Sequence, residues 1–212
     1  MTEIAVPIGE RPLAATLHQP SHASGIVVFV HGSGVDRHDA RDRRVAETLG
    51  EAGFVTLQPE LLDALQAHDQ SNAHDLELHC SRLLRALDWL DQQPWAARLP
   101  LGLFGAGIGS GVALLAAAKR PQRTAAVVCR DGRPDTALFH APSVRAATLM
   151  LVDEDGWPYR QVYDALPDPK ELIVVPSESH AFREPAAIGS IAQHARRWFS
   201  RYLINRSGGD PH

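Results

Sequence analysis

What this 212-residue sequence has little of sets its first limits. Cysteine appears twice, at Cys80 and Cys129, far apart along the chain. Two such thiols make no disulfide framework, and a reducing compartment is the default. No apolar run approaches the ~20 residues that a membrane span needs. No block of one charge stands out either: 21 basic and 25 acidic residues are interspersed, for a net charge of −4. That balance carries no electrostatic footprint for nucleic acid. The opening MTEIAVPIGE lacks the basic and apolar segments of a secretory leader, so the cytoplasm is the expected setting. No Cys/His spacing suggests zinc, and Asp153 with Asp155 is too few carboxylates for a metal loop. GAGIGSG has Ser110 where a dinucleotide fingerprint needs its third glycine, and it comes late in the chain. Neither a cofactor nor a metal is expected. No internal repeat or linker interrupts the sequence, so one domain is expected over 1–204, with a frayed tail over 205–212.

What is present is an alternation of strand-like and helix-like segments, the pattern of a mostly parallel sheet covered on both faces. LAATLHQ (13–19), GIVVFVH (25–31), FVTLQPEL (54–61), LPLGLFGA (99–106), AAVVCR (125–130), ATLMLVD (147–153) and ELIVVPS (171–177) are the expected strands. Several are continuous apolar runs, as expected of strands buried on both sides. Helices are expected near 40–52, 73–92, 112–119, 158–166 and 185–204, each with apolar residues at helical spacing. The polar stretch 62–75 reads as loop. The charged run DRHDARDRR (36–44) reads as a solvated face, with Asp39 as its N-cap and His38 near the site entrance. Arg130 and Arg133 read as surface arginines capping a loop, and Glu60 as a solvated loop carboxylate.

The chemistry turns on LGLFGAGIGSG (101–111). An apolar strand ends, small residues follow, and an apolar helix begins. A sharp strand–turn–helix elbow needs small residues two before and two after the residue it displays. Gly105 and Gly109 bracket Gly107 at that spacing, so Gly107 stands at the nucleophile position and brings no side chain to it. Ser110 is a poor substitute, since its own bracketing positions are Ile108 and Val112. Cys129 reads as a buried core residue rather than a replacement thiolate. HGSG (31–34) follows a buried strand. In hydrolases of this shape such a loop gives one backbone N–H to an oxyanion hole, and the residue after the nucleophile gives the other. Ser33 and Ile108 are the two candidate donors. Downstream, VDED (152–155) and SESHAF (177–182) follow strand ends in the chain order of acid, then histidine. His180 is the candidate base and Asp155 the candidate acid, with Asp153 as the alternative.

With HGSG, RHDARDRRVAETLGEAGF, LGLFGAGIGSGVALLAAAKRP, AAVVCRDGRPD, ATLMLVDED and VPSESHAF in place, the chain resembles the dienelactone-hydrolase-like branch of the α/β-hydrolase superfamily over about 13–204. The resemblance implies an α/β fold with a mostly parallel, eight-stranded sheet, helices on both faces and no large lid. It implies hydrolysis of a small ester or lactone through a covalent acyl-enzyme. From charge and hydropathy neither nucleic acid nor membrane is expected as partner, and a monomer or homodimer is the expected state. Such relatives usually read Gly-Ala-Ser where this chain has Gly105-Ala106-Gly107. Three readings stay open. The first is an esterase or lactonase scaffold whose nucleophile is absent by nature or removed by design. The second is a non-covalent enzyme in which His180, oriented by Asp155, activates water. The third is a catalytically silent ligand-binding protein.

Overall fold

The β-branched and apolar runs of the sequence form one mixed, eight-stranded sheet. The structure, a computed structural model, describes residues 1–31, 39–153, 157–177 and 182–204, with main chain alone at 157–158. Strands β1 (Thr2–Val6), β2 (Leu13–His18), β3 (Gly25–Val30) and β4 (Phe54–Pro59) supply one half of the sheet. Strands β5 (Leu101–Ala106), β6 (Thr124–Arg130), β7 (Ala147–Val152) and β8 (Lys170–Val174) supply the other. The spatial order is β1-β2-β4-β3-β5-β6-β7-β8. Pairings from β4 through β8 are parallel, while β1–β2 and β2–β4 are antiparallel. Strand β1 was not expected from the sequence; it is the outermost strand and pairs with β2.

Helices α1 (Ala40–Glu51) and α7 (Pro185–Phe199) cover one face. The other face carries α4 (Leu76–Asp91), α5 (Ile108–Lys119), the 3₁₀ segment Pro134–Ser143 and α6 (Trp157–Ala165). Two cores follow, one per face. Period-2 alternation sends Ile26, Val28 and Val30 of β3 into the α4/α5 core, and Val27 and Phe29 into the α1/α7 core. In β6, Val127 and Cys129 face one way and Ala126 and Val128 the other.

Two expectations are corrected. The stretch 62–75 is not plain loop: it contains the short helices α2 (Ala64–His68) and α3 (Gln70–Ala73), and Asp63 caps α2 by accepting from the Gln66 N–H at 2.8 Å. The charged run is not wholly solvated. Asp39 does cap α1, accepting from the Arg41 N–H at 2.8 Å, but Asp42 is fully buried. No helix among the described residues is long and apolar enough to cross a membrane.

Candidate active site at the elbow

In open, mostly parallel α/β sheets, ligands bind beyond the carboxyl ends of the strands, where loops converge. At that edge β5 passes into α5 through Gly107, whose backbone lies at φ 61° and ψ −130°. This is left-handed territory that L side chains rarely adopt. A Cβ built on Gly107 meets nothing within 4 Å among the described residues, so its side-chain direction points clear of them. The neighbours have no such room. A Cβ on Gly105 would come within 2.5 Å of Gly109 O, and one on Gly109 within 2.0 Å of Val30 O. The bracketing glycines are therefore required by close approach of α5 to β5 and β3, as the elbow spacing predicts.

Helix α5 starts at Ile108, four residues before the Val112 expected from the sequence, and has no side-chain cap. Main-chain N–H groups in a helix's first turn have no intrahelical acceptor and favour negative charge. Ile108 N–H is thus available as an oxyanion donor by position. Ser110 is fully buried, and its Oγ donates to Asp131 O at 2.7 Å and to Gly105 O at 3.2 Å. It stitches the elbow to the β6 loop. The Cys129 thiol, pushed up to about 12 by burial, remains a core group, as expected.

The loop after β6 lies on the elbow. Arg133 N–H donates to Gly107 O at 3.1 Å, and a Cβ on Gly132 would come within 2.0 Å of the same oxygen. Gly132 has φ 91°, so glycine is required there twice over. Asp131, a non-glycine residue at φ 54°, accepts from the Tyr159 hydroxyl at 2.8 Å and from Gly132 N–H at 2.6 Å. Burial, then the Asp131 carboxylate, raises the pKa of the Tyr159 phenol and keeps it protonated. Asp153, half-buried just past β7, adds to that effect electrostatically. Past the last strand, Ser177 Oγ donates to Glu184 Oε2 at 2.5 Å, and the fully buried Phe182 sits at φ 49°.

Of the residues expected to form the site, Gly107 and Ile108 come together at the elbow, and Asp153 lies at the same sheet edge. His180, Asp155, Ser33 and His38 lie outside the described residues. Glu60, expected as solvated, is half-buried just past β4.

The larger correction concerns Arg130. It is no surface arginine, being 4% exposed at the end of β6. Its Nη1 lies 2.8 Å from Asp42 Oδ1, while Asp42 Oδ2 lies 2.8 Å from His31 Nδ1. These are ion-pair contacts whose angles fall short of aligned hydrogen bonds. Burial alone would raise the Asp42 pKa; Arg130, and then His31, outweigh it and hold the carboxyl below its ordinary range. Arg133, by contrast, is exposed as expected and pairs with Asp135 at 2.8 Å. A signal for the buried trio was in the sequence. Asp42 precedes Val45, Ala46 and Leu49 at helical spacing, while His31 and Arg130 continue the alternation of Val27/Phe29 and Ala126/Val128.

A mostly parallel sheet with helices on both faces and a glycine-bracketed elbow at its carboxyl edge defines an α/β-hydrolase. A solved dienelactone hydrolase from Anabaena variabilis is 41% identical, with a TM-score of 0.89 over 95% of this chain and 98% of that one. The chain belongs to the dienelactone hydrolase family. Est1E from Butyrivibrio proteoclasticus shares the fold at 14% identity and a TM-score of 0.79, over 95% of this chain and 98% of that one. Proteins from two Mycobacterium tuberculosis strains are 43% identical over 205 residues, covering 95% of this chain. Both carry a phosphoribosyl transferase name that is itself provisional, and this chain spans only 46% of their length. No family model matches the chain.

Proposed function

We propose that this chain is an esterase- or lactonase-type scaffold for small ester or lactone ligands, with Gly107 at the position of the nucleophile. The observation that carries this reading is Gly107 itself. It keeps an elbow conformation of φ 61° and ψ −130°, and its side-chain direction meets none of the described residues within 4 Å. Glycine adopts such a backbone freely, so what supports the reading is its place between the close-packed Gly105 and Gly109 at the elbow spacing. The 41% identity to a dienelactone hydrolase across nearly all of both chains supports the substrate class.

In this reading Ile108 N–H and Ser33 N–H hold the oxyanion of a tetrahedral intermediate, and His180, oriented by Asp155 or Asp153, moves the proton. Without a side-chain oxygen or sulfur at 107, no acyl-enzyme forms. The space beside Gly107 favours a second route. A water there loses its proton to His180 as its oxygen attacks the ester carbonyl, and the proton passes to the departing alkoxide. That route gives slow turnover without a burst, abolished by His180→Ala. The provisional transferase name of the mycobacterial relatives describes proteins more than twice the length of this chain.

The test is Gly107→Ser. The serine strains the backbone by about 1–3 kcal/mol at this φ, yet its Cβ meets none of the described residues within 4 Å. Hydrolysis of a chromogenic short-chain ester, with a burst of acyl-enzyme formation, is the expected gain. A folded Gly107→Ser protein without esterase or lactonase activity overturns the assignment.

A further inference from the structure

Strands β3 and β6 flank β5 on its two sides, and each leads into a polar side chain that its apolar strand does not require. His31 follows β3, and Arg130 closes β6. A single carboxylate, Asp42 in the first turn of α1, reaches both at 2.8 Å across the end of β5. The Arg130 guanidinium lies 5.9 Å from the ring centroid of Phe104, the β5 side chain beneath this bridge. Side-chain exposure is 6%, 0% and 5% for His31, Asp42 and Arg130. Such an arrangement is poor economy for stability alone. A buried ion pair replaced by apolar residues of similar volume often leaves stability unchanged or raises it.

The two flanks are also the walls of the elbow. On the β3 side, a Cβ on Gly109 would come within 2.0 Å of Val30 O and 3.2 Å of His31 N. On the β6 side, Arg133 N–H holds Gly107 O, and Ser110 Oγ holds Asp131 O. The elbow therefore has contact but no slack on either hand. We propose that Asp42, bridging His31 and Arg130, is a positioning residue. It fixes the separation of the two flanks and so aims the Ile108 N–H at the space beside Gly107. The nearby charges hold the bridge in place: Asp39 grips Arg41 through Nε at 2.9 Å and Nη2 at 2.7 Å, and Arg41 acts electrostatically on both Asp42 and Asp131. Asp42 touches both flanks directly.

The consequence for catalysis rests on the hydrolase reading; the consequence for the elbow does not. In the Gly107→Ser background, Asp42→Asn lowers kcat on a short-chain ester by about 10- to 100-fold, the scale of an ångström-sized misplacement, with KM nearly unchanged. The charge-free double variant Asp42→Leu/Arg130→Met serves where Asp42→Asn fails to fold. It keeps or raises Tm and loses kcat to the same extent. A double variant that folds and retains kcat within about two-fold of its background, a free-energy change of under about 0.5 kcal/mol, overturns the proposal. A second readout needs no activity. In the native Gly107 protein, the same variants shift the amide NMR resonances of Ile108 and Ser110 and leave those of Leu83–Leu90 in α4 in place. Unshifted elbow resonances overturn the clamp, whatever the esterase assay gives. An inactive Gly107→Ser protein with shifted resonances overturns the hydrolase reading and keeps the clamp.

Discussion

Two sets of charge pairs in this molecule have nearly the same contact distances and opposite surroundings. On the face of α4 and α5, Lys119–Glu77, Arg120–Asp88 and Arg123–Asp91 each close to 2.6 Å. At the carboxyl edge of the sheet, Asp42 holds His31 and Arg130 at 2.8 Å. The first set is shorter, yet its members are mostly half-exposed, so water competes for every contact and salt screens it. The second has lost its water, so each charge depends on the others. Distance ranks the surface pairs higher; burial reverses the order. Charge at the sheet edge serves geometry, and charge on the helix face serves solubility.

The comparison breaks most easily at Asp42. Replacement by alanine leaves Arg130 buried and uncompensated, and costs about 3–5 kcal/mol. For a chain of this size that corresponds to a Tm lower by roughly 10 °C, measurable by calorimetry; a change of less than about 1 kcal/mol would mean that water reaches the cluster after all. Acid sharpens the contrast next. Asp39 is lowered from 3.8 to about 2, first by its side-chain hydrogen bond to Arg41, and Asp42 is lowered too. A depressed folded pKa gives stability that is present above the unfolded value and lost as pH falls through the folded one. Unfolding free energy therefore declines from about pH 4 to pH 2, and Asp39→Asn flattens part of that decline in urea titrations. The smallest effect belongs to Asp88→Ala, which changes stability by less than about 1 kcal/mol and less again in high salt. A loss as large as that of Asp42→Ala would erase the distinction between the two regions.

Much of the fold was legible because apolar continuity is a strong signal. GIVVFV and ATLMLV lie within a residue of where the sequence places them and are buried throughout. The elbow was legible for a different reason. Glycine spacing reports backbone clashes directly, and Gly105 and Gly109 prove to be sites where a Cβ cannot fit. The buried trio was missed because charge in DRHDARDRR outvoted the helical stripe that includes Asp42, and because an arginine at a strand end reads as solvated. Arg130 lies far along the chain from His31 and Asp42, so no local window contains all three groups whose pairing makes burial tolerable. Strand β1 was missed for want of an apolar run: its burial rises only at Ile4 and Val6, and its pairing with β2 supplies the rest.

The empty quarter beside Gly107 has a practical corollary. Because no described residue presses on that side of the backbone, a substituent there leaves the described frame in place, and the penalty within that frame is confined to one dihedral angle. Serine, cysteine or a non-natural warhead installed there would be read out against an unchanged frame. Each would report what its own functional group contributes, a controlled series in which the host protein serves as the constant.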